Sequence, residues 1–224
     1  MLFDYPIKAA FGRVLPKSKI YEHAGPSKGL KELFVRQVDQ IVWKYKLAPE
    51  TINLPSTKAV GEIQIFHLSL KTGELKDDVL RCIDKAVPFP IIFELNYEDK
   101  CKVMACYKRS NEADSTKWVT SDYFGTQWLP QNTPRSALPV VLNLTSLYES
   151  LLDPLLPHKS LPQEPLAARI ARMESIRWKE HEIRQLELRL QREKQFNRKV
   201  EINAEIRAIK LEIEGLIEPS RVRN

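Results

Sequence analysis

The length, composition and charge of the chain exclude several protein classes. At 224 residues, it has room for one ordinary domain and an appendage, because domains commonly contain about 100–200 residues. Hydrophobic residues make up 43% and charged residues 29% of the sequence, which argues against a disordered chain. No run of eighteen apolar residues offers a membrane span, and the N-terminus lacks the pattern of a secretory signal. We therefore expect a cytoplasmic protein with no membrane partner.

The net charge of +6 is concentrated at the two ends of the chain. Residues 1–60 contain ten Lys and Arg against five Asp and Glu, and residues 165–224 contain fourteen against ten. Basic ends favour anionic partners such as nucleic acid, because Lys and Arg displace counterions from phosphates. An ordinary solvated surface would give the same balance. The charge alone does not separate these two interpretations.

Cysteine and histidine usage predicts no metal site and no cofactor. The three cysteines form no CxxC pair, and the four histidines are isolated from them and from one another. This spacing is unlike that of a zinc site or a disulfide framework. Glycine-rich phosphate loops are absent from the sequence as well. We expect reduced, mostly buried thiols.

The first half of the chain predicts two helices and two strands. Residues 17–21 suggest a short strand, and residues 27–45 show apolar spacing typical of one long amphipathic helix with Ser27 as its N-cap. Residues 60–71 are rich in β-branched and aromatic side chains and predict a strand buried on both faces. Residues 75–86 repeat apolar side chains at intervals of four, which predicts a second helix.

The next segments predict an antiparallel meander followed by a short helix. Three runs at 90–97, 101–109 and 118–128 have strand composition, and a tight polar turn at 98–100 joins the first two. A polar loop covers 110–117. Proline clusters flank a short helix at 144–152 and mark a linker at 157–164. We predict an α/β domain at 1–156 with a mixed β-sheet and flanking helices.

A long amphipathic segment at 165–217 predicts a helical, coiled-coil-like arm. Its apolar residues follow two heptad frames that do not match. A bend or helical hairpin near 194–199 would reconcile the frames, although this stretch contains neither Gly nor Pro. A single continuous helix is the alternative. The alternating arginines and glutamates of the arm are typical of a solvated coiled-coil face.

Carboxylates near the predicted strands raise the alternative of an atypical metal-dependent nuclease. Such an enzyme needs two carboxylates that hold a metal beside a lysine. The nearest candidates are Glu62 and Glu94, but the Glu98-x-Lys100 pair falls in a turn. His67 is more typical of a hydrogen-bonded core or groove residue than of a catalytic base. We therefore favour a non-catalytic protein and treat both glutamates as edge charges.

Aromatic and basic residues are combined in the N-terminal region, where they could contact nucleic acid. Flat rings beside cations suit base stacking and phosphate contact. A structural alternative places these residues at the closing end of a helix that packs on the sheet. The candidate nucleic-acid-binding residues are Lys17, Lys19, Trp43, Lys44 and Lys46.

Several sequence runs resemble a bacterial family catalogued as domain of unknown function 4391. They are IVWKYKLAPETINL at 41–54, GEIQIF at 61–66, IDKAVPFPIIF at 83–93 and FNRKVEINAEIR at 196–207. The resemblance covers nearly the whole chain. It implies a bacterial protein often encoded near DNA helicases and DNA methyltransferases, in restriction-like or phage-defence neighbourhoods. It implies no catalytic residues.

Together these features predict an accessory subunit of a DNA-processing or phage-defence system. The arm would dock a helicase, a methyltransferase or a second copy, and the basic surfaces would assist DNA engagement. A self-associating interaction protein with no nucleic-acid role is a further alternative. The predicted partner-binding residues form the stricter heptad stripe of the arm, namely Ile202, Ile206, Ile209, Ile213 and Leu216.

Overall fold

A computed structural model describes residues 2–111, 114 and 118–218. The chain forms two compact units, Met1–Leu156 and Pro157–Asn224. The strands of the first unit are β1 (Leu2–Phe3), β2 (Ala10–Val14), β3 (Val38–Leu47), β4 (Ile63–Leu70), β5 (Ile91–Tyr97), β6 (Lys100–Ser110), β7 (Trp118–Gly125), β8 (Leu129–Pro130) and β9 (Arg135–Ser136). Its helices are α1 (Lys17–Ala24), α2 (Lys28–Gln37), α3 (Pro49–Ile52), α4 (Asp77–Ala86) and α5 (Leu144–Leu152), with 3-10 turns at Ile7–Ala9 and Asp153–Leu155. The second unit contains α6 (Leu166–Arg192) and α7 (Phe196–Ile217).

A mixed sheet forms the centre of the first unit. In the part of the chain that the structure describes, its strands follow the order β2-β3-β4-β5-β6-β7, and β8 pairs with β6. Strands β4 and β5 are parallel and are linked through α4, whereas the other neighbouring pairs are antiparallel. Strands β1 and β9 form a separate parallel pair. The predicted mixed sheet and the antiparallel meander of β5, β6 and β7 are confirmed.

Helices α1, α2 and α4 cover one face of this sheet. Their buried side chains share a core with alternate residues of the central strands, including Phe66 and Phe93. An aromatic row crosses that face from Phe11 on β2 through Trp43, Phe66 and Phe93 to Tyr123 on β7, with neighbouring ring centroids 4.0–6.3 Å apart. Alternate strand residues point to the same face, which is why one row of rings forms.

The predicted strand at residues 17–21 is wrong, because these residues begin helix α1. Ile20 and Ala24 are both buried and are separated by four residues, as a helix requires. Gly25 ends the helix with φ of 60°, and its N–H donates to the carbonyl of Tyr21 at 3.0 Å. Five residues are too few to distinguish a period of two from a period of 3.6, so the short window misled the prediction.

The single helix predicted at residues 27–45 is also wrong beyond its first half. Helix α2 begins after Ser27, whose Oγ accepts from the N–H of Leu30 at 3.3 Å as expected of an N-cap, and it ends at Gln37. Val38 then adopts extended backbone angles and opens β3. The following residues are β-branched and aromatic, and β3 pairs with β2 on one side and β4 on the other. Sheet pairing thus overrides an apolar spacing that also fits a helix.

The remaining predicted elements of this unit are confirmed with small shifts at their ends. Strand β4 lies within 60–71, helix α4 within 75–86, and α5 occupies Leu144–Leu152 as predicted. Asn143 caps α5, since its Oδ1 accepts from the N–H of Ser146 at 2.9 Å. The loop predicted at 110–117 lies mostly outside the described residues.

The second unit is a helical hairpin, as predicted. Ile183 of α6 packs with Ile202, Ile206 and Ile209 of α7. The turn uses neither Gly nor Pro. Instead, Oε1 of Glu193 accepts from the N–H groups of Lys194 and Gln195 at 2.8 and 2.9 Å, satisfying two backbone donors between the helices. No helix in the described ranges is both long enough and apolar enough to cross a membrane.

Candidate functional site

Glu94, one of the two candidate nuclease carboxylates, is buried and bound by an arginine. It lies on β5 with 3% of its side chain exposed. Arg135 of β9 donates from Nη1 to Oε1 at 2.7 Å and from Nη2 to Oε2 at 3.1 Å. The same guanidinium donates to the carbonyl of Phe3 at 2.7 Å. Both carboxylate oxygens are therefore engaged in a bidentate pair, which ties the N-terminal strand to the sheet.

A tyrosine and a histidine lie beside this pair. The ring of Tyr5 is 5.0 Å from that of Tyr45, and burial, together with the charge of Glu94, raises the pKa of Tyr5 far above its ordinary value. His67 of β4 is the register partner of Glu94. Burial, with a contribution from Lys44, lowers the pKa of His67. The imidazole is therefore neutral near pH 7, and this corner is a packed polar cluster.

Glu62, the second candidate carboxylate, is held in a different ion pair. Its Oε2 lies 3.1 Å from Nζ of Lys46, which also contacts Glu50 at 2.8 Å. Its Oε1 accepts a hydrogen bond from Nε2 of Gln64. These partners hold the Glu62 carboxylate at the entry to β4.

The structure does not bring Glu62 and Glu94 together. Glu94 is opposite His67, five residues along the chain from Glu62, which corresponds to about 16 Å at about 3.3 Å per residue. Two ligands of one metal ion lie within about 2–2.5 Å of it. Across the described ranges, no group of three or more His, Cys, Asp or Glu side chains is placed to hold a metal ion. The geometry gives no support to a site shared by these two glutamates.

The sequence analysis did not predict the buried charged network around Asp84 and Lys108. Nζ of Lys108 on β6 donates to the carbonyl of Asp84 at 2.5 Å, to that of Val87, and to Oδ1 of Asp84 at 3.4 Å. The hydroxyl of Tyr123 and the thiol of Cys106 donate to Oδ2 of Asp84. Burial raises the pKa of Asp84 and lowers that of Lys108, and their mutual attraction opposes both shifts.

This network is sealed from solvent, so it offers no surface to a substrate. Only 1% of the Lys108 side chain and 3% of the Asp84 side chain are exposed. A sequence signal was present, because Asp84 falls four residues after Leu80 on the apolar face of α4. Lys108 likewise falls two residues after the buried Cys106 on β6. Charged residues at inward positions predict a buried pair.

Three of the four lysines predicted to contact nucleic acid already have hydrogen-bond or ion-pair partners. Nζ of Lys17 on α1 donates to the carbonyl of Val38 at 2.6 Å. Lys19 pairs with Glu22 at 2.9 Å, and Lys46 pairs with two glutamates. Lys44 lies 5.9 Å from the ring centre of Tyr45. Each of the four lysines thus makes a contact within the chain itself.

Trp43 lies within the aromatic row, between Phe11 and Phe66. Its ring centroid is 4.0 Å from that of Phe11 and 6.2 Å from that of Phe66. Its Nε1 donates to the carbonyl of Tyr45 at 3.1 Å. The indole packs against the core and its only donor is satisfied, but Trp43 lies within β3 and not at the end of a helix, so the structural alternative is wrong about the element.

The predicted partner-binding stripe of the arm is used within the hairpin itself. Ile202, Ile206 and Ile209 are buried against Ile183, and Ile213 packs beside them. The fifth member, Leu216, offers its carbonyl to Nη1 of Arg172 at 3.2 Å. Three of the five predicted residues are therefore already buried within the hairpin.

Two arginines expected on a solvated face are buried near the start of the hairpin. Arg172 donates to both carboxylate oxygens of Glu164 at 2.7 and 2.6 Å, and to the carbonyl of Lys159 at 3.0 Å. Arg169 donates to the carbonyl of His158 at 3.0 Å. The hydrogen bonds from Arg172 lower the pKa of Glu164. The proline-rich segment before α6 is therefore tied to the hairpin.

Large apolar side chains remain exposed on the outside of the hairpin, and we call them the hairpin surface. Trp178 and Leu188 of α6 are 66% and 46% exposed. Phe196, Val200 and Leu211 of α7 are 77%, 52% and 66% exposed. The sequence analysis did not predict these exposed residues, because none of them belongs to the heptad stripe of Ile202, Ile206, Ile209, Ile213 and Leu216. This surface is the candidate functional site.

Comparison with known proteins identifies one family. A family profile described as Domain of unknown function (DUF4391) matches residues 3–213, so the match spans the sheet unit and most of the hairpin. No curated protein and no solved structure matches the chain.

Proposed function

The chain belongs to the DUF4391 family, and we propose that it is an accessory, non-catalytic subunit of a bacterial DNA-processing or phage-defence system. In this role the sheet unit is a rigid platform and the hairpin is the docking element. The partner is a DNA helicase or a DNA methyltransferase, which carries out the chemistry on DNA.

The hairpin surface is the observation that carries this proposal. A helix at the surface of a globular protein needs one apolar stripe, which it buries. Helix α7 buries Ile202, Ile206 and Ile209 against α6 and still exposes Phe196 and Leu211. Large exposed apolar side chains are candidates for an interaction site. Aromatic anchors such as Trp178 are typical of protein interfaces.

Charge pairing favours protein docking over direct DNA binding. Lys19 and Lys46 are neutralised by neighbouring glutamates, and Lys17 is bound to a carbonyl. Affinity for DNA comes mainly from cations that are free to replace counterions along the phosphates. The partner therefore supplies most of the DNA contact.

Co-purification with each candidate partner tests the proposal. The test variant combines Trp178→Gln and Leu188→Gln, which keep good helix formers on α6 and remove exposed apolar surface outside the hairpin core. The control is Val35→Gln, because Val35 is 61% exposed on α2 of the other unit. Tagged wild type and control should retain the helicase or methyltransferase at equal yield, and the double variant should lose it.

Two outcomes would contradict the proposal. One is that neither partner is retained by wild type at moderate salt. The other is that the double variant retains the partner as well as the control does, which would move the docking site away from α6. Circular dichroism of each variant confirms that the hairpin is still folded.

A further inference from the structure

The turn end of the helical hairpin carries a concentrated positive charge. Residues 189–199, which we call the hairpin tip, contain five Lys and Arg against one Glu, whereas residues 157–188 and 200–218 together contain eight Lys and Arg against ten Glu. The hairpin is therefore basic at its tip and mildly acidic over the rest of its length. The five cations are Arg189, Arg192, Lys194, Arg198 and Lys199.

These cations lie close together on both sides of the turn. Arg189 and Arg192 occupy the last turn of α6. Lys194 lies in the connection, and Arg198 and Lys199 fall in the first turn of α7. One helical turn rises only about 5.4 Å, so the five side chains start from a short stretch at one end of the hairpin.

The cations of the tip are not neutralised by neighbouring carboxylates. In the part of the chain that the structure describes, none of the five takes part in a salt bridge. Four of them are exposed, and Lys199 is half-buried. Lys19 and Lys46 of the other unit differ, because glutamates pair with them. The tip cations remain able to replace counterions along a phosphate backbone.

The position of two of these cations is unfavourable for the hairpin alone. The N-terminal end of a helix carries a partial positive charge, which acidic side chains stabilise and cations oppose. The first turn of α7 contains no acidic residue, yet it holds Arg198 and Lys199. A bound anion would offset this repulsion, so the charge pattern favours an anionic ligand.

An exposed aromatic ring stands among the tip cations. Phe196 is the first residue of α7 and is 77% exposed, two residues from both Lys194 and Arg198. It is not part of the apolar core between the two helices. A flat ring beside cations suits a single strand of nucleic acid, because a base can stack on the ring while the cations follow the backbone.

We propose that the hairpin tip binds single-stranded nucleic acid, with its cations along the phosphates and Phe196 stacked on a base. This inference goes beyond the proposed docking role, in which the partner supplies most of the DNA contact. Trp178 and Leu188 of α6 are left for the protein partner.

Other anionic surfaces fit the tip less well. The bases of a duplex are stacked on one another, so a ring could reach a base face only after unstacking at an energetic cost. An anionic membrane binds the long apolar face of a helix that lies in its plane, whereas the tip is the end of a hairpin. An unpaired strand satisfies the cations and the ring together.

Binding of the full-length protein to fluorescent oligonucleotides tests the tip. The single strands are an oligothymidine and an oligouridine of about 20 nucleotides, which is longer than typical site sizes. A blunt DNA duplex of the same length and vesicles containing phosphatidylserine are the competing ligands. Fluorescence anisotropy over a salt series gives the Kd for each nucleic acid, and co-sedimentation gives binding to the vesicles.

A charge variant measures the contribution of the cations. It combines Lys194→Gln and Arg198→Gln. If each cation meets one phosphate, this variant should lower the slope of log Kd against log salt by about 1.4 and weaken binding roughly 25-fold at about 0.1 M salt. The control combines Arg207→Gln and Lys210→Gln, which removes the same charge from exposed positions of α7 outside the tip. It should bind as wild type does.

A second pair of variants tests the aromatic ring. Phe196→Leu keeps an apolar side chain and a good helix former but removes the ring, so it should weaken single-strand binding at least about fivefold. Phe196→Tyr keeps a ring and should retain the wild-type affinity. Circular dichroism of every variant confirms that the hairpin is folded.

Binding of either single strand, weakened by the charge variant and by Phe196→Leu, supports the proposal, and the tighter of the two strands identifies DNA or RNA as the ligand. Three outcomes would overturn it. They are no binding of either single strand, equal affinity for the charge variant and its control, and tighter binding of the duplex or the vesicles than of either single strand. Equal affinity of Phe196→Leu and Phe196→Tyr would refute the stacking role of the ring.

Failure of the tip is distinguishable from failure of the proposed function. A chain that retains the helicase or methyltransferase but binds neither single strand refutes only the tip. A chain that binds a single strand but retains neither partner refutes only the docking role.

Discussion

Replacing Lys108 tests whether the buried network contains an ionised Asp84. Lys108→Met keeps an unbranched side chain of similar length but removes the ammonium and its three acceptor contacts. The carboxylate would then be buried without a cation, and such a loss costs about 3–5 kcal/mol. We therefore expect a drop of that size in the free energy of unfolding at pH 7.

The pH dependence of this drop has a definite sign. Burial already raises the pKa of Asp84, and removing the ammonium raises it further. In the unfolded chain the pKa of an aspartate is about 3.9. When the pKa of Asp84 is higher than this in the folded state, the protein keeps its full stability below about pH 3.9 and loses stability as the pH rises towards the folded-state pKa. The deficit of Lys108→Met should therefore be small near pH 4 and largest near pH 7.

Urea unfolding followed by tryptophan fluorescence measures this effect in the sheet unit. Of the four tryptophans, only Trp178 lies in the hairpin unit, so a Trp178→Phe background confines the signal to the sheet unit. Adding Asp84→Asn to Lys108→Met should recover at least about 1 kcal/mol, since directly contacting residues are coupled. A loss below about 1 kcal/mol at pH 7, or a loss independent of pH, would refute an ionised buried pair.

Further predictions concern the hairpin and the ion pair between Glu94 and Arg135. Glu164→Gln should make the stability of the hairpin less dependent on acid pH. The pKa of Glu164 is lowered in the folded state, so its contribution to stability is present above about pH 4.3 and is lost as the pH falls below that value. Identical acid unfolding curves of wild type and variant, followed by circular dichroism, would contradict this. Ile206→Ala should lower the free energy of unfolding of the hairpin by about 2–4 kcal/mol, measured by helical ellipticity in urea, and a change under about 0.5 kcal/mol would mean that its core is not formed. Glu94→Gln should destabilise the sheet unit by about 2–3 kcal/mol, because Arg135 would lose a charged bidentate acceptor; unchanged urea unfolding would exclude a structural role for the pair.

Sequence reasoning succeeded where local signals and tertiary packing agreed. Helix α5 was predicted with the observed limits because proline clusters bound its segment on both sides. The hairpin was predicted because two mismatched apolar frames cannot share one straight stripe. Strands β4 to β7 were recognisable because buried strands in this chain are dense in β-branched and aromatic residues.

It failed where partners distant in sequence decide the outcome. The apolar spacing of Val38, Ile41 and Val42 fits both a helix and a strand, and only pairing with β2 and β4 selects the strand. The apolar residues of α7 pose the same difficulty. A heptad shows that a stripe exists, but only the position of α6 shows which apolar residues are buried and which are free. For this reason the sequence did not show that most of the predicted partner-binding stripe packs against α6.

Binding of a partner through the hairpin is the central claim, and a calorimetric titration tests it most directly. Full-length protein is titrated with the purified helicase and, separately, with the purified methyltransferase. The claim predicts saturable binding to one of them, weakened at least about tenfold by Trp178→Gln with Leu188→Gln and unchanged by Val35→Gln. Absence of binding to both, or equal affinity for the double variant and the control, would contradict it.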